Sequence, residues 1–163
     1  MQKIRKATAD DAFAILEIYH PYVLKTPLTF EIEPPTPEEM KERILETSKN
    51  YPWLVFEEDG EIIGYAYASA FKTREAYRWS VESSVYVRDD HQGRGIGKQL
   101  YQELIVQLRD LGFVNVVGVV VLPNEASASL HESLGFQQVA KFKNIGFKLG
   151  KWWDVSYWQL ELK

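Results

Sequence analysis

The most informative segment of this chain is Val85-Tyr86-Val87-Arg88-Asp89-Asp90-His91-Gln92-Gly93-Arg94-Gly95-Ile96-Gly97-Lys98. It runs from an apolar strand through a short polar turn into three glycines, spaced two residues apart, at the start of an amphipathic helix. The first amides of a helix have no partner within the helix and lie at the positive end of its dipole. Since glycines also let a ligand approach the main chain closely, the segment predicts a site for phosphate groups.

The spacing of these glycines excludes two common kinds of phosphate loop. A dinucleotide-binding turn needs G-x-G-x-x-G, whereas Gly93, Gly95 and Gly97 form G-x-G-x-G. A nucleotide P-loop needs a first glycine at position 92 and Ser or Thr after Lys98, but Gln92 and Gln99 stand there. The glycines alone therefore leave open a phosphate loop of another type and a plain tight turn.

Composition indicates an ordinary globular protein. The 163 residues carry a net charge of −4 and contain no basic block, which argues against a broad nucleic-acid surface. No apolar run is long enough to span a membrane. We therefore expect a single domain over residues 1–163 that binds neither nucleic acid nor membrane.

The sequence contains no cysteine, which excludes disulfides, a cysteine nucleophile and thiolate metal ligands. His20, His91 and His131 lie far apart, and none has H-x-x-x-H spacing, so we expect no metal site. A chain without cysteine fits a reducing compartment, and no apolar signal core follows the basic N-terminus. We expect a cytoplasmic protein.

Hydrophobic periodicity and turn residues predict the order β-α-α-β-β-β-α-β-α-β-β, an α/β domain with a mixed sheet. The second helix has the clearest start, since Thr36 can cap it, Pro37 fits its first position and Glu39 completes a capping box. The first helix can be capped by Asp10 or Asp11. Strands are expected at residues 3–7, 53–56, 62–67, 77–87, 114–122, 136–141 and 155–162, and helices from about 11, at 36–48, from the glycine turn to Gly112, and before Gly135.

Four segments together resemble one enzyme family. Gln92-Gly-Arg-Gly95-Ile-Gly97 is similar to the Q/R-x-x-G-x-G/A signature of the GNAT N-acetyltransferases. Glu82-Ser-Ser-Val-Tyr-Val87, Asn124 to Phe136 and Gly146-Phe-Lys-x-Gly-x-Trp-x-Asp-Val155 resemble the phosphinothricin and methionine sulfoximine N-acetyltransferase branch. The predicted element order is also that of this family, whose fold is a central, mostly antiparallel mixed sheet flanked by helices.

The resemblance implies acetyl transfer from acetyl-coenzyme A, as cosubstrate, to the α-amine of a small amino-acid-like acceptor. It implies that main-chain groups of Val85, Tyr86 and Val87 pair with the pantetheine arm. It further implies that the pyrophosphate is held by Gly93, Arg94, Gly95, Ile96, Gly97 and Lys98, and that Asn124 and Ser133 contact the coenzyme.

The reaction needs a group that removes a proton from the acceptor amine, and Glu82 is the candidate base. Strand alternation puts Glu82, Ser84 and Tyr86 on one face, opposite three valines of the same strand. A solvated or ion-paired structural role for Glu82 stays open. His131 could be the acid for the departing thiolate, although packing or capping in its helix is the plainer interpretation.

An acceptor carboxylate calls for a guanidinium, and Arg74 and Arg78 flank Tyr77 just before Glu82. Arg74 is the first candidate, whereas Arg78 is expected on the same strand face as Glu82, where it could compete or form an ion pair with it. Phe30 and Tyr77 match positions at the acceptor pocket of the branch. An ordinary buried Phe30 is the alternative.

Trp152 and Trp153 are expected in a loop between the last two strands, as an exposed pair at an interface. The resemblance implies a homodimer in which this loop reaches the partner's acceptor site.

Direct transfer of the acetyl group from the coenzyme to the amine is expected, because no cysteine can carry the acetyl group. Two other functions stay open: an acetyltransferase for another amine (a protein N-terminus, polyamine or aminoglycoside), and an acyl-coenzyme A-binding module without catalysis.

Overall fold

A computed structural model describes residues 1–163. Its helices and strands follow the predicted order, with one-turn 3₁₀ helices at Ala9–Asp11, Glu75–Tyr77 and Asp89–His91. No helix is both long and apolar enough to cross a bilayer. The elements are β1 (Gln2–Lys6), α1 (Ala12–Lys25), α2 (Pro37–Ser48), β2 (Trp53–Glu58), β3 (Glu61–Ala70), β4 (Ser80–Val87), α3 (Ile96–Asp110), β5 (Asn115–Leu122), α4 (Glu125–Ser133), β6 (Gln137–Lys148) and β7 (Lys151–Glu161).

The seven strands form one mixed sheet in the order β1-β2-β3-β4-β5-β7-β6. All neighbours are antiparallel except β4 and β5, which run parallel. This one parallel pair is short, because it joins only residues 80–83 to residues 115–118. Beyond Ser83 and Gly118 the two strands continue without pairing to each other, so the sheet opens at its centre.

The two faces of the sheet are covered by different helices. Helix α3 packs on the face that carries Val81 and Val87, in a core that also contains Leu100 and Leu104. Helices α1 and α2 cover the other face, where Tyr86 packs against a second core. The predicted alternation along β4 is therefore confirmed, and it places Glu82 on the α1 and α2 side.

The start of α2 is as the sequence predicts. The Thr36 hydroxyl accepts a hydrogen bond from the Glu39 amide at 3.1 Å, and the Glu39 carboxylate accepts one from the Thr36 amide at 3.0 Å. Such a cap stabilises a helix by about 1 kcal/mol. At α1 the capping box is formed instead by Thr8 and Asp11 around the 3₁₀ turn that precedes the helix.

The prediction of a loop between the last two strands is wrong. Strands β6 and β7 continue to a two-residue turn at Leu149 and Gly150, whose φ angles are 56° and 78°. Two positive φ angles produce the turn that matches the twist of a hairpin, so the strands pair up to the turn. Trp152 and Trp153 consequently lie on β7 and point to opposite faces, with Trp152 58% exposed and the Trp153 indole donating to the Lys148 carbonyl at 2.8 Å.

Candidate active site

A cavity of about 780 Å³ lies where β4 and β5 part. Both strands contribute to it, together with the glycine turn, the start of α3, helix α4 and the loop between α1 and α2. The structure brings most of the predicted site residues into this one cavity. They are Phe30, Glu82, Val85, Tyr86, Val87, Gly93, Gly95, Ile96, Gly97, Lys98 and Asn124.

The glycine turn is shaped by its main chain. Gly93 and Gly95 have φ angles of 78° and 76°, and a Cβ on either would meet no atom within 4 Å. Glycine is therefore needed there for the left-handed conformation and not for space. Gly97 differs, because a Cβ there would lie 3.7 Å from Val85 and Val87, at ordinary van der Waals distance from β4.

The amide row at the start of α3 fits a diphosphate. Gly95 is the N-cap, and the first main-chain bond of the helix runs from the Gln99 amide to the Gly95 carbonyl at 3.1 Å. The amides of Ile96, Gly97 and Lys98 consequently have no partner within the helix. They lie at the positive end of a 15-residue helix and border the cavity, as an anion site requires.

Two predicted coenzyme contacts lie outside the cavity lining. The Arg94 guanidinium is bound to Glu58 on β2, at 2.7 and 3.1 Å, and lowers the pKa of that carboxyl to about 2. The Ser133 hydroxyl donates to the Leu130 carbonyl at 2.8 Å on the exposed side of α4. Asn124, in contrast, lines the cavity and caps α4, accepting from the Ser127 amide at 3.1 Å.

The end of β4 is fixed by two side chains that the sequence analysis did not identify. The Tyr22 hydroxyl donates to the Val87 carbonyl at 2.6 Å, and the Gln92 amide donates to the same carbonyl at 3.1 Å and to Tyr22 at 2.7 Å. The Val87 carbonyl is thus satisfied within the protein. These bonds tie α1, the end of β4 and the glycine turn together.

Glu82 has the environment of a base. Its carboxyl is partly buried, accepts no hydrogen bond from the protein, and lines the cavity. Burial raises the pKa of Glu82, and the nearby Lys72 ammonium opposes that shift. A carboxylate of raised pKa binds a proton more readily than a solvated one, so Glu82 is suited to accept a proton inside the cavity.

A chain of buried polar groups lies where β4 and β5 part. His131 Nδ1 is 2.7 Å from the Ser127 carbonyl, which can only accept, so Nδ1 carries a proton. Burial lowers the pKa of His131, so the neutral ring accepts from the Tyr101 hydroxyl at Nε2, across 3.1 Å. Tyr101 in turn hydrogen-bonds Ser83 on β4. A Cβ on Gly118 would lie 2.3 Å from His131 Nε2, so only glycine leaves room for the ring.

The three predicted acceptor residues before β4 do not line the cavity. Arg74 is exposed, and Tyr77 packs edge-on against Phe71 with ring centroids 5.7 Å apart. The placement of Arg78 beside Glu82 is wrong, because β4 begins only at Ser80 and Arg78 binds Glu75 at 3.1 Å.

Some residues at the site were not predicted from the sequence. The cation near Glu82 is Lys72, and the buried hydroxyls near His131 belong to Tyr101 and Ser83. Only Tyr101 could have been found from the sequence, because it lies one turn after Gly97 on the helix that begins at the glycines.

Comparisons with known proteins agree with this geometry. Residues 4–157 match the family described as "Acetyltransferase (GNAT) domain". A phosphinothricin N-acetyltransferase of Streptomyces viridochromogenes is 41% identical over 161 residues, covering 99% of this chain and 88% of that protein. An L-methionine sulfoximine/L-methionine sulfone acetyltransferase of Salmonella typhimurium is 37% identical over 170 residues, covering 98% and 94%.

A solved structure shows the same likeness. The phosphinothricin acetyltransferase of Sinorhizobium meliloti in complex with AcCoA superposes with a TM-score of 0.95. The two sequences are 40% identical, and the match covers 98% of this chain and 88% of that one. The structure here contains no group of His, Cys, Asp or Glu side chains that could hold a metal ion.

Proposed function

The chain belongs to the GNAT acetyltransferase family, and we propose that its cavity brings acetyl-coenzyme A and a small amino-acid-like amine together for direct acetyl transfer. The observation that carries this proposal is the parting of β4 and β5 beside the unpartnered amides of α3, with Glu82 on the cavity wall. One end of the cavity offers main-chain donors for a diphosphate, and the other offers a base.

The residues present fit acetyl-coenzyme A, which supplies an activated acyl group on a thioester. The amides of Ile96, Gly97 and Lys98 face the cavity and would hold the pyrophosphate. Apart from the Val87 carbonyl, which Tyr22 and Gln92 already satisfy, main-chain groups of residues 84–87 on the β5 side have no strand partner and would pair with the pantetheine arm. An amide there that donates to the thioester oxygen would stabilise the developing charge by about 3 kcal/mol.

Glu82 is the proposed base, because an amino-acid amine is mostly protonated at neutral pH and cannot attack in that form. The raised pKa of Glu82 makes its carboxylate a better proton acceptor, while the Lys72 ammonium opposes the rise and favours the ionised form. An ordinary cysteine thiol has a pKa of about 8.5, and a thiolate of this kind needs little help to depart. We therefore assign His131 and Tyr101 to holding Ser83 at the point where the strands part, with no acid required.

The acceptor class is proposed as amino-acid-like, with phosphinothricin, methionine sulfoximine and methionine sulfone as the first compounds to test. The support is threefold: the activities named for the relatives, the aromatic wall at Phe30 and the Lys72 ammonium near Glu82. A cation at this end suits an acceptor that carries a carboxylate and disfavours polyamines and aminoglycosides. A cytoplasmic location is part of the proposal.

A homodimer is the second part of the proposal. Apolar side chains of the β6–β7 hairpin are exposed in the single chain, and a surface of this kind is typical of an interface between protein chains. A second copy of the chain would cover them. They are Val139, Phe142, Ile145, Phe147, Leu149 and Trp152.

Thiol release is the direct test of the activity. Because the chain has no cysteine, a thiol-reactive dye reports only the coenzyme A that is formed. We expect release with methionine sulfoximine, methionine sulfone or phosphinothricin, and at least about tenfold less, by kcat/KM, with spermidine or an aminoglycoside. Release only with the polycations would contradict the acceptor class. Coenzyme binding without release for any amine would instead favour a binding module.

Glu82→Gln should lower kcat by about 100-fold or more, since the base is lost, with little change in coenzyme affinity. In the wild type, kcat/KM should rise with pH through the raised pKa of Glu82, and this acidic limb should vanish in the variant.

The Glu82→Gln variant should also be at least as stable as the wild type at neutral pH. The folded-state pKa is above the unfolded one, so ionisation of Glu82 costs stability as the pH rises.

Glu17→Gln, on the exposed side of α1 and without an ion pair, is the matched control and should leave rate and profile unchanged. If Glu82→Gln kept the acidic limb of the wild-type profile of kcat/KM against pH, Glu82 would not be the base.

Ile145→Asp should dissociate the dimer, because it places a charge within the apolar surface of the hairpin. Sedimentation velocity should give a dimer for the wild type and a monomer for the variant at the same micromolar concentration. Val106→Asp, at an exposed apolar position on α3, is the control and should stay dimeric. A monomeric wild type would refute this part of the proposal.

A further inference from the structure

The loop between α1 and α2 (residues 26–36, the Phe30 loop) carries Phe30 into the cavity wall, and the ring rests on the main chain of β6. A Cβ on Gly146 would lie 2.2 Å from Phe30 Cε2 and 2.4 Å from Cζ. No side chain fits in that space. Gly146 has no left-handed φ angle, so this position needs glycine only because the Phe30 ring occupies the room.

Lys148, two residues further along the same face of β6, holds the loop beside Phe30. Its ammonium donates to the Thr29 carbonyl at 2.7 Å, yet only 4% of the residue is exposed and no carboxylate lies within ion-pair distance. A lysine is rarely buried in this way, because desolvation of an ammonium is costly. Phe147, between the two, points to the opposite face and is exposed.

The other side of the Phe30 loop is tied to both N-terminal helices. The Tyr19 hydroxyl of α1 contacts the Thr29 hydroxyl at 2.8 Å and donates to Glu31 at 2.6 Å. Arg43 of α2 binds Glu31 in a two-point ion pair at 2.6 and 2.9 Å. Thr29 and Glu31, the neighbours of Phe30, are thus each fixed from outside the loop, and the Phe30 ring lies against Gly146 of β6.

We propose that Gly146 and Lys148 are positioning residues for the acceptor: they fix Phe30 against the hairpin of the same chain and so set the shape of the cavity at its acceptor end. The inference rests on the proposed function, which takes the Phe30 end of the cavity as the place where the acceptor binds. It assigns the Gly-Phe-Lys segment a role within its own subunit. The coenzyme end of the cavity, built from residues 93–98, does not depend on these contacts.

The first test is Gly146→Ala. The added methyl group overlaps the ring, so Phe30 has to leave its position, and the KM of the acceptor should rise about tenfold or more. The KM of acetyl-coenzyme A should stay within about twofold, because Gly146 lies on β6, outside the segments 84–87 and 95–98 that are proposed to hold the coenzyme. Lys148→Met, which removes the bond to the Thr29 carbonyl, should shift the acceptor KM in the same direction.

Compensation separates this role from general damage to the hairpin. Phe30→Ala removes the ring, so Gly146→Ala should add nothing further to the acceptor KM in that background. Gly150→Ala is the matched control: it strains the turn of the same hairpin at a φ angle of 78°, but its methyl group meets no atom within 4 Å. It should leave the acceptor KM unchanged. An equal effect of Gly146→Ala with and without Phe30, or an acceptor KM that rises equally in Gly150→Ala, would overturn the proposal.

Urea denaturation of the same variants, compared as a double-mutant cycle, measures the Phe30–Gly146 interaction in the absence of any acceptor. Gly146→Ala should lower the unfolding midpoint in the wild type and not in Phe30→Ala. If the wild type acetylates no amino acid, the proposed function fails, and this cycle still decides whether the contact exists. Coupling in the cycle without a change in acceptor KM would leave the function standing and refute the positioning role.

Discussion

The parallel pairing of β4 with β5 ends after four residue pairs, and the rest of the site depends on that ending. Both strands are anchored on their other sides, β4 to β3 and β5 to β7, so neither can close the gap. Main-chain donors and acceptors on the inner edges are consequently left for a ligand. The Ser83–Tyr101–His131 chain lies at the last paired residues, where the gap begins.

In the proposed function, the two ends of the cavity recognise their ligands by different means. At the coenzyme end, the row of amides at Ile96, Gly97 and Lys98 would hold a diphosphate, and the left-handed turn at Gly93 and Gly95 leads the chain into that row. At the proposed acceptor end, Glu82, Lys72 and Phe30 would provide a base, a cation and an aromatic wall. Main-chain recognition suits a cosubstrate shared by a whole family. Side-chain recognition suits an acceptor that differs among its members.

Local features of the structure could be predicted from the sequence. The element order, the Thr36 cap and the face of β4 that carries Glu82 each depend on neighbouring residues, so periodicity and capping patterns revealed them. The length of β6 and β7 was missed because their turn, Leu149-Gly150, places a leucine at positive φ, where glycine or asparagine is the usual signal. The bond from Lys148 to Thr29 joins residues 119 positions apart, and no local pattern encodes such a contact.

Hydrogen exchange with and without coenzyme A tests most directly whether main-chain amides hold the cosubstrate. The account predicts slower exchange, on adding coenzyme A, in peptides that cover residues 84–87 and 95–98, with no change in α2. Binding that left both segments exchanging at their original rates, or that protected a different part of the chain, would contradict it.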